Sequence, residues 1–217
     1  MSTIQAVVFD LDGVLVESDH IWHEVREGLA RERDGNWTDR SEAEMSGMSS
    51  SEWSLYMHEV VGLADPPDEI NDEVVRRMRS RYAKKLPLID GAGEAVKRLA
   101  GSFRLAVASS SNRELIEVVL AQAGLDRYFE ATVSSEEVAR GKPSPDVFVE
   151  AARRLSVPPR NCGAVEDSTN GIRAAHAAGM RVVAIPNALY PPPADVVALA
   201  DVTLDSIAYL TPNVVAG

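Results

Sequence analysis

The sequence predicts an α/β protein built on a parallel sheet that helices cover on both faces. From residue 87 onward, short apolar runs alternate with segments of helical periodicity, the pattern of parallel strands joined by crossover helices. One apolar run comes earlier, at 4–9, and residues 16–86 after it show helical periodicity and polar loops only. With 217 residues, 45% of them hydrophobic, the chain can form such a core and a smaller insert.

The N-terminal part contains one predicted strand and three predicted helices. Apolar run 4–9 is the strand, and residues 19–33 carry apolar side chains at helical spacing. A polar loop covers 34–41, and a second helix begins near Ser50 or Ser51 and ends at Gly62. After a proline-containing linker, residues 69–86 form a long charged helix. We therefore expect an all-helical unit at 16–86, inserted into a sheet unit made of 1–15 and 87–217.

The remaining chain predicts strands and helices in turn. Glycines follow two of the helices, as expected at helix C-termini. The predicted strands are 103–108, 129–134, 162–165, 181–185 and a weaker one at 201–204, and the helices are 92–100, 113–123, 145–155 and 168–178.

Composition limits the partners. The net charge of −11 and the pI of about 4.8 argue against nucleic acid or an anionic membrane as a general partner, but not against a small anionic ligand held by local positive charge. No segment reaches the roughly 20 apolar residues of a membrane span, and the N-terminus lacks the features of a signal peptide. Cys162 is the single cysteine, so we expect it to pack in the core of a cytoplasmic protein.

Two carboxylates mark the end of the first strand. Asp10 and Asp12 are two residues apart where the strand gives way to Gly13, so their side chains can point the same way. Such a pair can supply a nucleophile and a proton donor to one substrate. An Asp-Gly pair after a strand is also an ordinary turn, and the pair alone does not distinguish the two interpretations.

Further polar groups follow other predicted strands. Ser109 and Ser110 open a helix, where hydroxyl and amide groups can hold phosphate or simply cap the helix. Lys142 lies between a glycine and a proline, which positions its charge. Glu166 and Asp167 close another strand as adjacent acids, and together with Asp10 they suit Mg²⁺. Ligands of parallel sheets bind beyond the carboxyl ends of the strands, so we expect one common site.

In their order along the chain, these motifs resemble the haloacid dehalogenase (HAD) superfamily. The similarity is to the branch of helical-cap enzymes that contains β-phosphoglucomutases and phosphoglycolate-phosphatase-like proteins, and it covers about residues 4–205. The resemblance implies a Rossmann-like core of parallel strands and a helical cap at 16–86. The motifs that carry it are residues 10–14, Ser109, residues 142–148 and residues 166–180.

The resemblance also implies a two-step phosphoryl transfer on a small phosphorylated metabolite. Asp10 would attack phosphorus to form an aspartyl-phosphate, and Asp12 would act as acid and then base. Binding of the transferring phosphate would fall to Ser109, Ser110 and Lys142. Mg²⁺ would be held by Asp10, Asp12 (through its backbone carbonyl), Glu166 and Asp167.

Positions in the cap favour a phosphatase over a mutase. β-Phosphoglucomutases have a histidine where this chain has Trp22, and an arginine in the loop that here runs from Gly47 to Ser51. In mutases that arginine holds the phosphate that is not transferred, and since this chain lacks it, we expect hydrolysis. The alternatives are a mutase, a non-catalytic binding protein of the same fold, or cleavage of phosphonates or haloacids. A monomer is the default state in this branch.

Substrate contacts in the cap are expected from Trp22, Gly47, Ser50 and Arg77. Arg77 belongs to a basic stretch at 76–85, which is either a solvated helix face or a source of one residue that binds a second anionic group. Aromatic residues at helical spacing, including Trp22, either line a sugar site or form the cap core.

Overall fold

A central sheet of six parallel strands organises the protein. The computed structural model describes residues 3–38, 40–45, 47–188 and 190–217. The strands lie in the order β3-β2-β1-β4-β5-β6, which confirms the predicted α/β class. Their bounds are β1 Ala6–Phe9, β2 Arg104–Ser109, β3 Ala131–Ser134, β4 Cys162–Glu166, β5 Arg181–Ala184 and β6 Val202–Thr203.

β1 lies in the middle of the sheet, between β2 and β4. Val8 is in register with Ala106 of β2 and Ala164 of β4. The chain builds the sheet outward from β1 through β2 and β3, and then adds β4 on the other side of β1. The strand order therefore reverses next to β1, and the crevice beyond the carboxyl ends of β1 and β4 is the expected place for a ligand.

Side chains of successive strand residues pack on opposite faces of the sheet. On one face, Val7 and Phe9 pack with residues of the helical segment, which lies between β1 and β2, and with the helices near β2. On the other, Ala6 and Val8 pack with the helices that flank β4. Both faces are apolar, which explains why the strands are continuous apolar runs rather than alternating patterns. Cys162 is buried in the second cluster, and burial raises the pKa of its thiol to about 11, as expected for a packing residue.

Helices surround the sheet and fill the segment between β1 and β2. That segment holds α1 Asp19–Glu32, α2 Ser41–Met45, α3 Ser50–Glu59 and α4 Pro67–Lys84. Periodicity does not predict α2, because five residues are too few to display a 3.6-residue repeat. The later helices are α5 Ala92–Ala100, α6 Arg113–Ala123, α7 Asp146–Arg154, α8 Thr169–Ala177, α9 Ala194–Val197 and α10 Pro212–Ala216. Among the described residues, none of these helices has the length and apolar character required to cross a bilayer.

The helical segment touches the sheet part near the carboxyl ends of the strands. Ser50 donates a hydrogen bond to Glu136, and Asn112 donates one to Asn71 of α4. Ser110 donates to the carbonyl of Gly47 at 3.3 Å. These contacts hold the helices over the strand ends, where a cavity lies between the two parts.

Candidate active site

Asp10 extends the β1 ladder by one residue beyond the strand. Its backbone N–H donates to the carbonyl of Val165 at 2.9 Å, and its side chain is buried. The turn that follows needs glycine: Gly13 has φ +82°, and a Cβ on it would lie 1.9 Å from Oδ2 of Asp167. The loop after β1 therefore packs closely against the loop after β4 at this glycine.

Lys142 lies between two carboxylates. Its Nζ is 2.5 Å from Oδ1 of Asp10 and 2.6 Å from Oε1 of Glu166, and all three side chains are buried. Burial disfavours the charged ammonium, but Asp10 and Glu166 outweigh that effect and raise the pKa of Lys142. The lysine is therefore a fixed positive charge beside the Asp10 carboxylate.

Three buried acids meet at this point. Oxygen atoms of Asp10, Glu166 and Asp167 lie within 4.8 Å of one another. Burial, followed by the neighbouring carboxylates of Glu166 and Asp10, raises the pKa of Asp167 well above its usual value. A single lysine does not balance three carboxylates, and hard oxygen donors at this spacing suit a divalent cation. The donor set therefore fits the metal that the sequence implies.

The two acids of the β4 end differ in their surroundings. Glu166 accepts hydrogen bonds from the backbone N–H groups of Asp167 and Ser168 and from the Ser168 hydroxyl, in addition to Lys142. Asp167 lines the cavity and accepts from the Asn187 side chain at 3.1 Å. Glu166 is thus committed to holding Lys142 and the loop, whereas Asp167 faces the open space.

Asp12 is held by a hydrogen bond network that the sequence does not predict. Its Oδ1 accepts from the Ser18 hydroxyl at 2.5 Å and from Nε1 of Trp22 at 3.2 Å. Its Oδ2 accepts from the Ser111 hydroxyl at 2.6 Å. Ser18 and Ser111 were not expected at the site, because serines before a helix and within a serine run look like ordinary caps.

The serine run after β2 lies at the same place. Ser109 is fully buried, accepts the backbone N–H of Ser111 at 2.9 Å and donates a longer bond of 3.4 Å to Asp12. Ser110 lines the cavity. The expected core residues of the site therefore come together, although they are far apart along the chain.

A cavity of about 570 Å³ opens above these groups. Residues of both the strand ends and the helical segment line it, and those from the helical segment include Trp22 and Gly47, two of the four expected cap contacts. Among the residues that the structure describes, the lining is formed by Asp10, Asp12, Asp19, Trp22, Arg26, Glu42, Met45, Gly47, Met48, Trp53, Ser110, Ser111, Lys142, Asp167, Ser168, Thr169, Asn170, Asn187, Tyr190 and Pro191.

The other two expected cap contacts lie elsewhere. Ser50 is not in the cavity lining, and its hydroxyl is 2.9 Å from Glu136. Arg77 also lies outside the lining, because its guanidinium forms ion pairs with Glu32 and Glu73 on the helix surface. The expectation that Ser50 and Arg77 contact substrate does not match this geometry.

Arg26 lines the cavity, whereas none of the basic residues of the stretch 76–85 does. Its Nη1 donates to Oε1 of Glu42 at 3.1 Å, and its guanidinium carbon lies 4.5 Å from the Trp22 ring and 4.9 Å from the Trp53 ring. Burial lowers the pKa of Arg26 and raises that of Glu42, but each is opposed by the charge of the other. Sequence reasoning missed this pair, since an arginine on a helix is usually a surface residue.

Comparisons with known proteins identify the family of this chain. A family model for haloacid dehalogenase-like hydrolases matches residues 4–179. Hexitol phosphatase B of Escherichia coli is 33% identical over 219 residues, which cover 96% of this chain and 95% of that protein. The bifunctional riboflavin kinase/FMN phosphatase of Arabidopsis thaliana is 33% identical over 183 residues, 83% of this chain, and the match spans only 48% of that longer protein.

Solved structures share the overall fold. CbbY from Rhodobacter sphaeroides, crystallised with phosphate, is 28% identical and has a TM-score of 0.84, with 95% of this chain and 96% of that chain covered. A second crystal structure of CbbY holds xylulose-1,5-bisphosphate, with a TM-score of 0.82 at the same identity and coverage. On the extent of the family match and the full-length similarity to a phosphatase, the chain belongs to the haloacid dehalogenase-like hydrolases.

Proposed function

We propose that the protein is a Mg²⁺-dependent phosphatase that hydrolyses a small phosphorylated sugar or sugar alcohol through an aspartyl-phosphate. The observation that carries the proposal is the placement of Asp10 against Lys142, next to Glu166 and Asp167 and below the cavity. Similarity to hexitol phosphatase B over almost the whole chain supports the substrate class. In this proposal, residues 16–86 act as the cap that selects the substrate.

The first step requires a nucleophile held in place. Asp10 would attack the phosphorus atom and expel the alcohol oxygen, so that a phosphate ester becomes an acyl phosphate on the enzyme. Lys142 is hydrogen-bonded to Asp10 and can stabilise the negative oxygens of the transferring group, together with the hydroxyl of Ser109 and the amide of Ser110. Fixing these groups before substrate arrives reduces the reorganisation needed in the transition state.

Mg²⁺ held by Asp10, Asp167 and the backbone carbonyl of Asp12 would offset the repulsion between the Asp10 carboxylate and the phosphate dianion. Glu166 is the positioning residue of this set, because its oxygens are already committed to Lys142 and to the loop after β4.

Asp12 would give a proton to the leaving oxygen and then take one from the attacking water. Its partners bear on the choice between hydrolysis and mutation. The indole N–H of Trp22 donates to Asp12 at 3.2 Å, and an indole is a donor only, so it cannot pass a proton to and from a sugar hydroxyl as a histidine can. This observation favours the phosphatase over the mutase.

A substrate screen tests the proposal. The purified protein with Mg²⁺ would be assayed for phosphate release from hexitol phosphates, hexose phosphates, phosphoglycolate and nucleotides, and for isomer formation from β-glucose-1-phosphate with a bisphosphate primer. We expect phosphate release from a sugar or sugar alcohol phosphate and its loss on chelation of the metal. Robust isomerisation without phosphate release would overturn the proposal.

Asp10→Asn is the matched test of the nucleophile. The amide is nearly isosteric but a poor nucleophile, so we expect turnover to fall by about 10⁴-fold or more. Asp126→Asn, at an exposed acid remote from the cavity lining, should retain activity and serves as the control. Appreciable activity of Asp10→Asn, with deamidation excluded by mass spectrometry, would refute the assignment.

A further inference from the structure

A buried ion pair forms part of the cavity wall contributed by the helical segment. Arg26 of α1 is 6% exposed and Glu42 of α2 is 8% exposed, yet both line the cavity that contains Asp10 and Asp12. Burying two charges is costly even when they are paired, and an apolar pair would fill the same volume at lower cost. The pair is therefore a candidate for a role beyond packing.

The position of Arg26 is fixed before any ligand binds. Its guanidinium lies over the rings of both Trp22 and Trp53, at 4.5 and 4.9 Å from the ring centroids. Cation–π contacts with two rings and the bond to Glu42 restrict the side chain, so little entropy remains to be lost on binding. Because Trp22 also donates to Asp12, this wall is linked to the acid/base residue.

Within the part of the chain that the structure describes, each member of the pair has one polar atom without a hydrogen bond partner. Among the described residues, Nε of Arg26 and Oε2 of Glu42 are buried and have no hydrogen bond partner, and Nδ1 of His23 lies 3.9 Å from Oε2 of Glu42, beyond hydrogen-bond distance. One is a donor and the other an acceptor, and both are costly to leave unpaired. A hydroxyl group can accept from the first and donate to the second, so a ligand rich in hydroxyls matches the pair.

The charges around Arg26 and Glu42 disfavour the binding of a second anionic group there. Glu42 neutralises Arg26, and Asp19 adds a further carboxylate to the cavity lining. A second phosphate or a carboxylate would have to approach Glu42 and Asp19 while the first phosphate is held at Lys142. Neutral hydroxyls meet no such repulsion.

We propose that Arg26 and Glu42 form a polyol subsite that selects monophosphates with a neutral, hydroxyl-rich leaving group over bisphosphates and phosphorylated acids. The inference rests on the proposed phosphatase function for the identity of the reacting group. The subsite itself depends only on ligand binding, so the two can be tested separately.

The test measures binding in the Asp10→Asn protein with Mg²⁺, where turnover is blocked. Isothermal titration would use three probes: sorbitol 6-phosphate, n-hexyl phosphate, which has the same chain length without hydroxyls, and fructose 1,6-bisphosphate. We expect sorbitol 6-phosphate to bind most tightly, by about tenfold over n-hexyl phosphate, the value of one or two hydrogen bonds to charged groups.

Glu42→Gln in that background removes the charge while keeping the shape. We expect sorbitol 6-phosphate to bind about tenfold more weakly and fructose 1,6-bisphosphate more tightly, because the hydroxyl acceptor is weakened and the repulsion is lost. A misfolded variant would weaken both ligands, so the opposite signs distinguish recognition from damage. Glu24→Gln, which breaks an exposed ion pair between the same helix and Arg81 outside the cavity lining, is the matched control and should change neither affinity.

Equal weakening of all three probes, or tighter binding of the bisphosphate than of sorbitol 6-phosphate before the Glu42 change, would overturn the subsite. If the binding pattern appears but the wild-type protein releases no phosphate from any substrate, the proposed hydrolysis fails and the subsite stands. If phosphate is released but the probes bind alike, the subsite fails and the hydrolysis stands.

Discussion

The strand ends and the helical segment contribute to the same cavity in different ways. At the strand ends, Ser109 is the last residue of β2, and Asp10 and Asp167 directly follow β1 and β4, so the sheet alone brings them together. In the helical segment, Trp22, Arg26, Glu42 and Trp53 lie on three helices and meet only because those helices pack. The groups proposed to react are thus positioned by the sheet topology, and the groups proposed to select the substrate are positioned by helix packing.

The two regions also balance charge differently. Around Asp10 there is an excess of buried carboxylates over cations, which suits a metal ion and a phosphate. Around Arg26 the charge of the arginine is neutralised by Glu42, and Asp19 adds a carboxylate to the cavity lining, which suits a neutral ligand rather than a second anion. Substitutions that disturb one region should therefore affect catalysis and those in the other should affect selection, and the following three tests are ordered by expected effect.

Lys142→Met should cause the largest change of these, in both stability and turnover. Removing the ammonium leaves Asp10 and Glu166 as buried carboxylates without their shared partner, at a cost of about 3–5 kcal/mol in the free energy of unfolding. Loss of the charge beside the transferring phosphoryl group should lower kcat by roughly 10²–10³-fold. Urea unfolding and p-nitrophenyl phosphate hydrolysis measure the two effects.

Lys97→Met, at an exposed lysine of α5, is the control for that substitution. It should leave both measurements close to those of the wild type. Unchanged kinetics in Lys142→Met would contradict the assignment of Lys142 to phosphate binding.

Trp22→Phe probes the link between the two regions. Phenylalanine keeps an aromatic face for Arg26 but removes the N–H that donates to Asp12, so we expect kcat to fall by about tenfold with little change in KM. Steady-state kinetics on the best substrate of the screen measure the split. Trp37→Phe, outside the cavity lining, is the control, and a change confined to KM would instead assign Trp22 to substrate binding alone.

Glu73→Gln should have the smallest effect, since Glu73 joins Arg76 and Arg77 on the surface of α4. Hydrogen bonds from Arg76 and then Arg77, opposed by some burial, lower the pKa of Glu73 to about 2. A lowered native pKa stabilises the fold above the usual pKa of the acid, and that stabilisation disappears as the pH falls toward 2. We expect a loss of about 0.5–1 kcal/mol at pH 7, because the pair is near the surface.

Urea unfolding at pH 7, 5, 4 and 3 checks this expectation. The difference between wild type and Glu73→Gln should shrink as the pH decreases below 5. Glu69→Gln, in the first turn of the same helix, controls for the general loss of one negative charge. A difference that grows at low pH would show that Glu73 does not act through its ion pairs.

Most of the fold could be predicted from the sequence. The strand 162–165 and the helix 113–123 agree with β4 and α6 to within one residue, because their apolar patterns are uninterrupted and their ends have clear signals. The helix Ser41–Met45 is missing from the prediction, since its five residues are too few to display a helical repeat. The carboxylates could be predicted because they directly follow apolar strands, and Lys142 because it lies between a glycine and a proline.

The sequence by itself determined the α/β class, the helical insertion and the set of groups proposed to react, since each is marked by a local pattern of residues in the chain. Tertiary structure alone decided that Arg26 and Glu42, and not Ser50 or Arg77, face the cavity. It also decided that Trp22, Ser18 and Ser111 hold Asp12. The physical reason is that a helix has several candidate faces, and only its packing against other helices determines which side chains are buried at the site.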